Sequence, residues 1–196
     1  MALAKVNAFL SSPKFVTKMI VTGGLFMMGD IMSQNVEISM RKKKNHVQKY
    51  DIGRTARRAL FGACIATPML HAWFGKILPA LFPKVTTPQV LGKVLLDQTM
   101  MAPTFITTFF FCSTVMEGGS VEEGKSMVKG HLWGALLMNW RVWPLAQLTN
   151  FFLFPVHMHL HFANFIAMFW SAYLSYLQAS RQLETAAKIA EPRLEQ

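Results

Sequence analysis

Apolar residues are gathered along this chain into four long stretches, about 15–36, 54–81, 90–116 and 133–178, the last with a break at Pro155. A helix rises about 1.5 Å per residue, so roughly 20 apolar residues cross a hydrocarbon core about 30 Å thick, and each stretch is long enough. Pro68 and Pro103 fall inside the second and third stretches, where a missing N–H interrupts the amide ladder and predicts a kink. The pattern therefore predicts an all-α fold: a single integral membrane bundle of four kinked transmembrane helices plus a short amphipathic helix near Val121. A basic loop at 37–53, a Pro- and Thr-rich turn at 79–88, a polar segment at 117–129 and a polar tail at 179–196 punctuate it.

Small residues recur at four-residue steps in two stretches. Ala59, Ala63, Thr67, His71 and Gly75 line one helix face, and His159, Ala163, Ala167, Ser171, Ser175 and Ala179 line another. Such seams let helix backbones approach closely in lipid, so each calls for a helical neighbour.

Polar residues inside the apolar runs are the next signal, because each is costly in hydrocarbon unless paired or wet. Asp30 and Gln34 share a face of the first helix. They fit an interhelical hydrogen bond or an ion or proton site. Lys93, Asp97 and Gln98 sit in the third stretch, where Lys93 and Asp97 have i,i+4 spacing. In the fourth, Trp140, Trp143, Gln147 and Asn150 share a face beside Arg141. Arg141 is the arginine expected to serve the buried acids, with Asp30, Gln34, His71 and Asp97 as partners of this stretch. His71 reads as a hydrogen-bonding side chain. His157, His159 and His161 read as interfacial anchors, since no third ligand stands near them.

Composition narrows the class. The 196 residues are 52% hydrophobic and only 15% charged. An ordinary soluble domain carries about a quarter charged residues, so the chain belongs in a membrane. The net charge of +10 is concentrated between Arg41 and Arg58, where Arg41, Lys42, Lys43, Lys44, Lys49, Arg54, Arg57 and Arg58 face a single acid, Asp51. This run reads as a positive-inside loop, then as a lipid-headgroup patch, then as an RNA contact, with Arg41 to Lys49 and Arg54 as the lipid or partner contacts. With four spans, both termini and the 79–88 turn share one side of the membrane, and the basic loop and the 117–129 segment share the other. Met1 to Gly29 carry no acid, a composition compatible with mitochondrial targeting, and are expected to be retained. Cys64 and Cys112 lie in apolar runs without zinc spacing, and no catalytic, cofactor or metal motif is present, so neither enzyme activity nor DNA binding is expected.

Taken in order, a set of residues resembles the Mpv-seventeen and peroxisomal membrane protein twenty-two family: Asp51, Arg54, Arg57, Pro68, His71 and Trp73; Lys93, Asp97-Gln98 and Pro103; Trp143-Pro144, Gln147, Asn150-Phe151 and Pro155; Trp170 and Tyr173-Leu174-Ser175. The resemblance implies a small bundle in the mitochondrial inner membrane, or alternatively the peroxisomal membrane, with pore or metabolite-passage activity. Gly29-Asp30 with Gln34, Glu117-Gly118-Gly119 and Tyr173 to Leu177 look most like the Mpv-seventeen-like protein two branch, which is linked to mitochondrial ribosome assembly and translation. Two positions depart from the family pattern: His159 replaces an arginine and Phe74 a tyrosine. Two functions follow as expectations. One is a weakly selective channel whose polar core is drawn from Asp30, Gln34, Arg57, His71, Asp97, Gln98, Arg141, Trp143, Gln147, Asn150 and His159. The other is a membrane-anchored factor whose basic loop holds a mitochondrial ribosome. Membrane lipids and a second copy of the chain are the remaining candidate partners.

Overall fold

Helix propensity and lipid-like composition leave little besides helix. The computed structural model describes residues 13–42, 49–84, 86–154 and 159–190, and they contain helices and turns but no strand. Helix α1 is Pro13–Lys42. A second rod joins α2 (Ile52–Phe61), α3 (Thr67–Ala72) and α4 (Leu78–Leu81) through π-helical turns at Gly62–Ala66 and Trp73–Ile77. A third joins α5 (Thr87–Leu96) and α6 (Ala102–Met116) through a π-helical turn at Asp97–Met101. Helices α7 (Val121–Leu153) and α8 (His159–Ala190) complete the chain.

The π-turns have a common cause. Each ends two residues before a proline, at Pro68, Pro79 and Pro103. A proline ring collides with the carbonyl four residues back and offers that carbonyl no N–H. Widening the preceding turn to i→i+5 bonding relieves both problems without stopping the rod. At Pro68 the Thr67 hydroxyl also donates to the Gly62 carbonyl at 2.9 Å.

Two helical stretches, Phe15–Met40 and Leu91–Met116, are by themselves long and apolar enough to cross a membrane. The stretch expected at 133–178, with its break at Pro155, is not a single rod: α7 ends at Leu153 and α8 starts at His159. As one helix it would run about 69 Å, more than twice the hydrocarbon thickness, and the chain instead divides it between α7 and α8. Successive rods alternate in direction, so the first and the fifth are parallel: Thr17 and Lys18 lie beside Asn164, Leu25 beside Ser171, Asp30 beside Ser175. The end of α8 therefore lies with the start of α2 and the α6–α7 turn. The four-span reading, in which both termini share a side, differs from this by one rod.

Small residues set the crossings. A Cβ added to Gly23 would stand 3.0 Å from the Ala59 carbonyl oxygen and 3.3 Å from Ala63 Cβ, so the α2 seam lies on α1. One added to Gly29 would overlap Ser171 Oγ and lie 2.9 Å from the Ala172 nitrogen, so the α8 seam lies on α1 as well. Between these crossings the centre is aromatic. Phe61 stands 5.3 Å, centroid to centroid, from both Phe26 and Phe109, Phe109 is 5.6 Å from Phe110, and all four are buried. Offset and edge-on ring packing of this kind adds to dispersion where lipid supplies no hydrophobic drive.

Candidate functional site: a buried ionic cluster

Asp30, Ser33, Gln34 and Glu37 fall at steps of three, one and three residues, so they share one face of α1, and all four are buried. Facing them is the first turn of α2. Asp51 caps that helix by accepting the Arg54 N–H at 2.8 Å, and this orients Arg54, Thr55 and Arg58 towards α1. Gln34 clips the same turn from the side, accepting the Asp51 N–H at 2.8 Å and donating to the Asp51 carbonyl at 2.9 Å.

Arg54 is the hub. Its Nε donates to Asp30 Oδ1 at 2.8 Å, while Nη1 and Nη2 donate to the two oxygens of Glu37 at 2.8 Å each. The fork geometry of guanidinium suits two carboxylates in this way, and lysine could not reproduce it. Asp30 has no exposed surface and accepts three more hydrogen bonds: Thr55 Oγ1 at 2.7 Å, Gln34 Nε2 at 2.9 Å and Ser175 Oγ at 3.0 Å. Because the Thr55 proton goes to Asp30, its oxygen is the acceptor for the Tyr50 hydroxyl at 2.8 Å. Arg58, 1% exposed, donates through Nε to Ser175 Oγ at 3.0 Å and forms an ion pair with Glu117 at 2.7 Å. The guanidinium N–H is not aimed along that last contact, so it is an ion pair and not a hydrogen bond. The same guanidinium lies 5.2 Å over the Phe109 ring, which joins the cluster to the aromatic centre.

The cluster thus holds three carboxylates (Asp30, Glu37, Glu117) and two guanidiniums (Arg54, Arg58), with Asp51 and Arg57 paired at 3.4 Å on its more exposed rim. Guanidinium keeps its charge at accessible pH, and Asp30 accepts hydrogen bonds from Arg54, Thr55, Gln34 and Ser175. The arrangement is a clamp across α1, α2, the end of α6 and α8, not an acid–base pair.

A second polar group lies farther along the bundle. Asp97 accepts the Trp73 indole N–H at 2.9 Å, the Gln98 side-chain oxygen accepts from Asn139 at 2.8 Å, and the Gln98 backbone carbonyl accepts the Trp140 indole N–H at 3.1 Å. The π-turns bring these together: Trp73 opens one and Asp97 opens another. Among the described residues no ion pair links Lys93 to Asp97, whose carboxylate is turned onto Trp73 instead.

Of the residues singled out from sequence, the cluster unites Asp30 and Gln34 and keeps Arg57 at its rim, while Asp97 and Gln98 join the second group. His71 is elsewhere, 3.1 Å from Lys18 Nζ and edge-on to Phe15. Two placements are corrected. Arg54, read as a partner or lipid contact, is buried because its fork matches two carboxylates of α1. Arg141, read as the counterpart of the buried acids, is exposed on α7, and Arg54 and Arg58 take that role. Trp143 packs on the core. Lys49 is exposed. The side chains of Arg41, Lys42, Gln147, Asn150 and His159, and residues Lys43, Lys44 and His157 altogether, lie outside the described residues. Sequence reasoning missed Glu37, Thr55, Ser175 and Glu117. The face repeat from Asp30 to Glu37 could have revealed Glu37; nothing local points to Glu117, which is 59 residues from Arg58 (117 − 58).

The sequence profile of the Mpv17 / PMP22 family matches residues 114–175. The chain is 35% identical to Protein SYM1 of Saccharomyces cerevisiae, over 82% of this chain and 81% of that protein. It is 32% identical to Peroxisomal membrane protein 2 of Bos taurus, over 90% and 89%. It is 31% identical to Mitochondrial inner membrane protein Mpv17 of Rattus norvegicus, over 85% and 92%. No solved structure matches.

Proposed function

This chain belongs to the Mpv17 / PMP22 family, and from that premise we propose that it is a weakly selective channel for small polar solutes, here in a closed form. It is an organellar membrane protein of the mitochondrial inner membrane, with the peroxisomal membrane as the alternative. The observation that carries the channel reading is the order of layers inside the bundle. A sealed ionic cluster at one end meets a plug of Phe26, Phe61, Phe109 and Phe110, and the group around Asp97 and Gln98 lies beyond it. Polar groups at this depth are costly unless paired or wet, and a hydrophobic constriction between them gates by excluding water. Solute passage on this reading requires the Arg58–Phe109 contact to part.

Planar-bilayer recording of the purified protein tests it. The wild type should conduct intermittently, and Phe109→Ala, which removes the ring under Arg58, should raise the open fraction several-fold. Silence from both proteins, each verified as folded in detergent, would reject the channel.

The alternative, a membrane-anchored factor for mitochondrial ribosome assembly, now rests on Arg41 to Lys49, because Arg54 and Arg58 face inward. Replacing Lys42, Lys43 and Lys44 by glutamine should release a bound ribosomal subunit in gradient sedimentation if that reading is right.

A further inference from the structure

Away from the ionic cluster, at the opposite end of the bundle, a groove of about 490 Å³ opens between the first turns of α1, the rod of α3 and α8. Its polar rim includes Lys18, His71 and Asn164, and its wall includes Val21, Leu70 and Phe74. Lys18 Nζ lies 3.1 Å from His71 Nδ1, so one nitrogen of the imidazole is held and the ring is fixed at the mouth. Edge-on packing of Phe15 on that ring, at 5.5 Å between centroids, holds it from the other side. Lys76 brings another positive charge within electrostatic range of the same imidazole.

The charges towards this end of the bundle are one-sided. Among the described residues, this end carries Lys18, Lys76, Lys84, Lys93 and Arg141, and its one acid, Asp97, is occupied by Trp73 and Gln98. The other buried acids gather at the far end with Arg54 and Arg58. A basic mouth over an apolar wall, a few residues inside the start of a long apolar helix, is complementary to one class of ligand found at that depth: a phosphate on an acyl chain.

We propose that this groove is a binding site for an anionic phospholipid, with the headgroup phosphate between Lys18 and His71, Lys76 supporting it, and the upper acyl chain along Val21, Leu70 and Phe74. The volume suits a headgroup and the first part of a chain, the remainder staying in the bilayer.

The experiment uses the full-length protein in neutral detergent micelles doped with phosphatidylglycerol, with phosphatidylcholine for comparison and inorganic phosphate as a soluble competitor. Binding is read by native mass spectrometry and by the rise in unfolding temperature. Phosphatidylglycerol should bind in preference to phosphatidylcholine. Lys18→Gln should weaken it about fivefold, as expected for loss of one lysine near an anionic headgroup, Lys18→Arg should restore most of the loss, and Lys125→Gln at the far end should change nothing. Lys76→Gln, at an exposed position, should weaken binding about threefold and serves if Lys18→Gln does not fold. The proposal is overturned if phosphatidylcholine binds equally, if the Lys18 and Lys76 variants bind as the wild type does, or if millimolar inorganic phosphate displaces the lipid, which would mark a site for free anions.

Discussion

Arg54 reaches three side chains of α1 and a carbonyl of α8 with one guanidinium, so its removal strands Asp30 and Glu37 inside the bundle. Breaking a buried pair by deleting one partner typically costs about 3–5 kcal/mol, far more than a surface ion pair contributes. Arg54→Ala should lose stability of that order in detergent unfolding. Arg54→Lys should recover only part of it, because an ammonium cannot address both carboxylates in plane. Equal stability of Arg54→Ala and wild type would show that the cluster is not the clamp described. The same side chain marks a limit of reading by neighbourhood: Arg54 looks like one more cation of the basic loop until α1 is placed against it.

At the scale of elements, the crossings depend on the absence of side chains at particular glycines. Gly29→Ala should force α1 away from α8 and cost about 1–3 kcal/mol, since the clash involves backbone as well as Ser171. Gly24→Ala, with nothing within 4 Å, should be neutral or stabilise by up to about 1 kcal/mol. Unfolding the two variants side by side checks the crossing. The α6–α7 connection depends on another device. Gly118 adopts φ of 90°, turning the chain, and Ser120 and Glu123 then form a capping box, with Ser120 N–H donating to Glu123 at 2.6 Å and Glu123 N–H to Ser120 Oγ at 3.2 Å. The Ser120 N–H holds the Glu123 carboxyl below the usual glutamate range, and the Ser120 hydroxyl adds to that. A depressed folded value means the cap's contribution is complete above the unfolded value and disappears as pH falls through the folded one. Amide exchange in the first turn of α7 should therefore quicken on acidification, and Glu123→Gln should remove that dependence.

At the scale of the molecule, the five alternating rods among the described residues make a topological statement that differs from four. With native Cys64 and Cys112 replaced by serine, single cysteines at Ser120 and Lys188 should react with a membrane-impermeant maleimide from one side, and one at Lys84 from the other. Labelling of Lys84→Cys and Lys188→Cys from the same side would restore the four-span arrangement. The same architecture separates two chemistries along the bundle axis, a paired ionic cluster at one end and a basic groove at the other.

Much of this protein was determined locally. Helices long enough to cross a bilayer, the prolines that disturb them, the seams at Ala59–Ala63 and Ser171–Ser175 and the depth of Asp30 and Gln34 all follow from hydropathy and a period of 3.6 residues, which act within a few turns. Pairing does not. Asp30 could have met Arg141, Arg57 or Lys93 as far as charge alone decides, and it meets Arg54 because Gly23 and Gly62 let α1 and α2 approach and the cap at Asp51 aims α2's first turn inward. Glu117 and Ser175 enter the cluster only when α6 and α8 close around it. The strength of an ion pair depends on distance and on exclusion of water, and both are properties of the packed bundle, not of any one segment of chain.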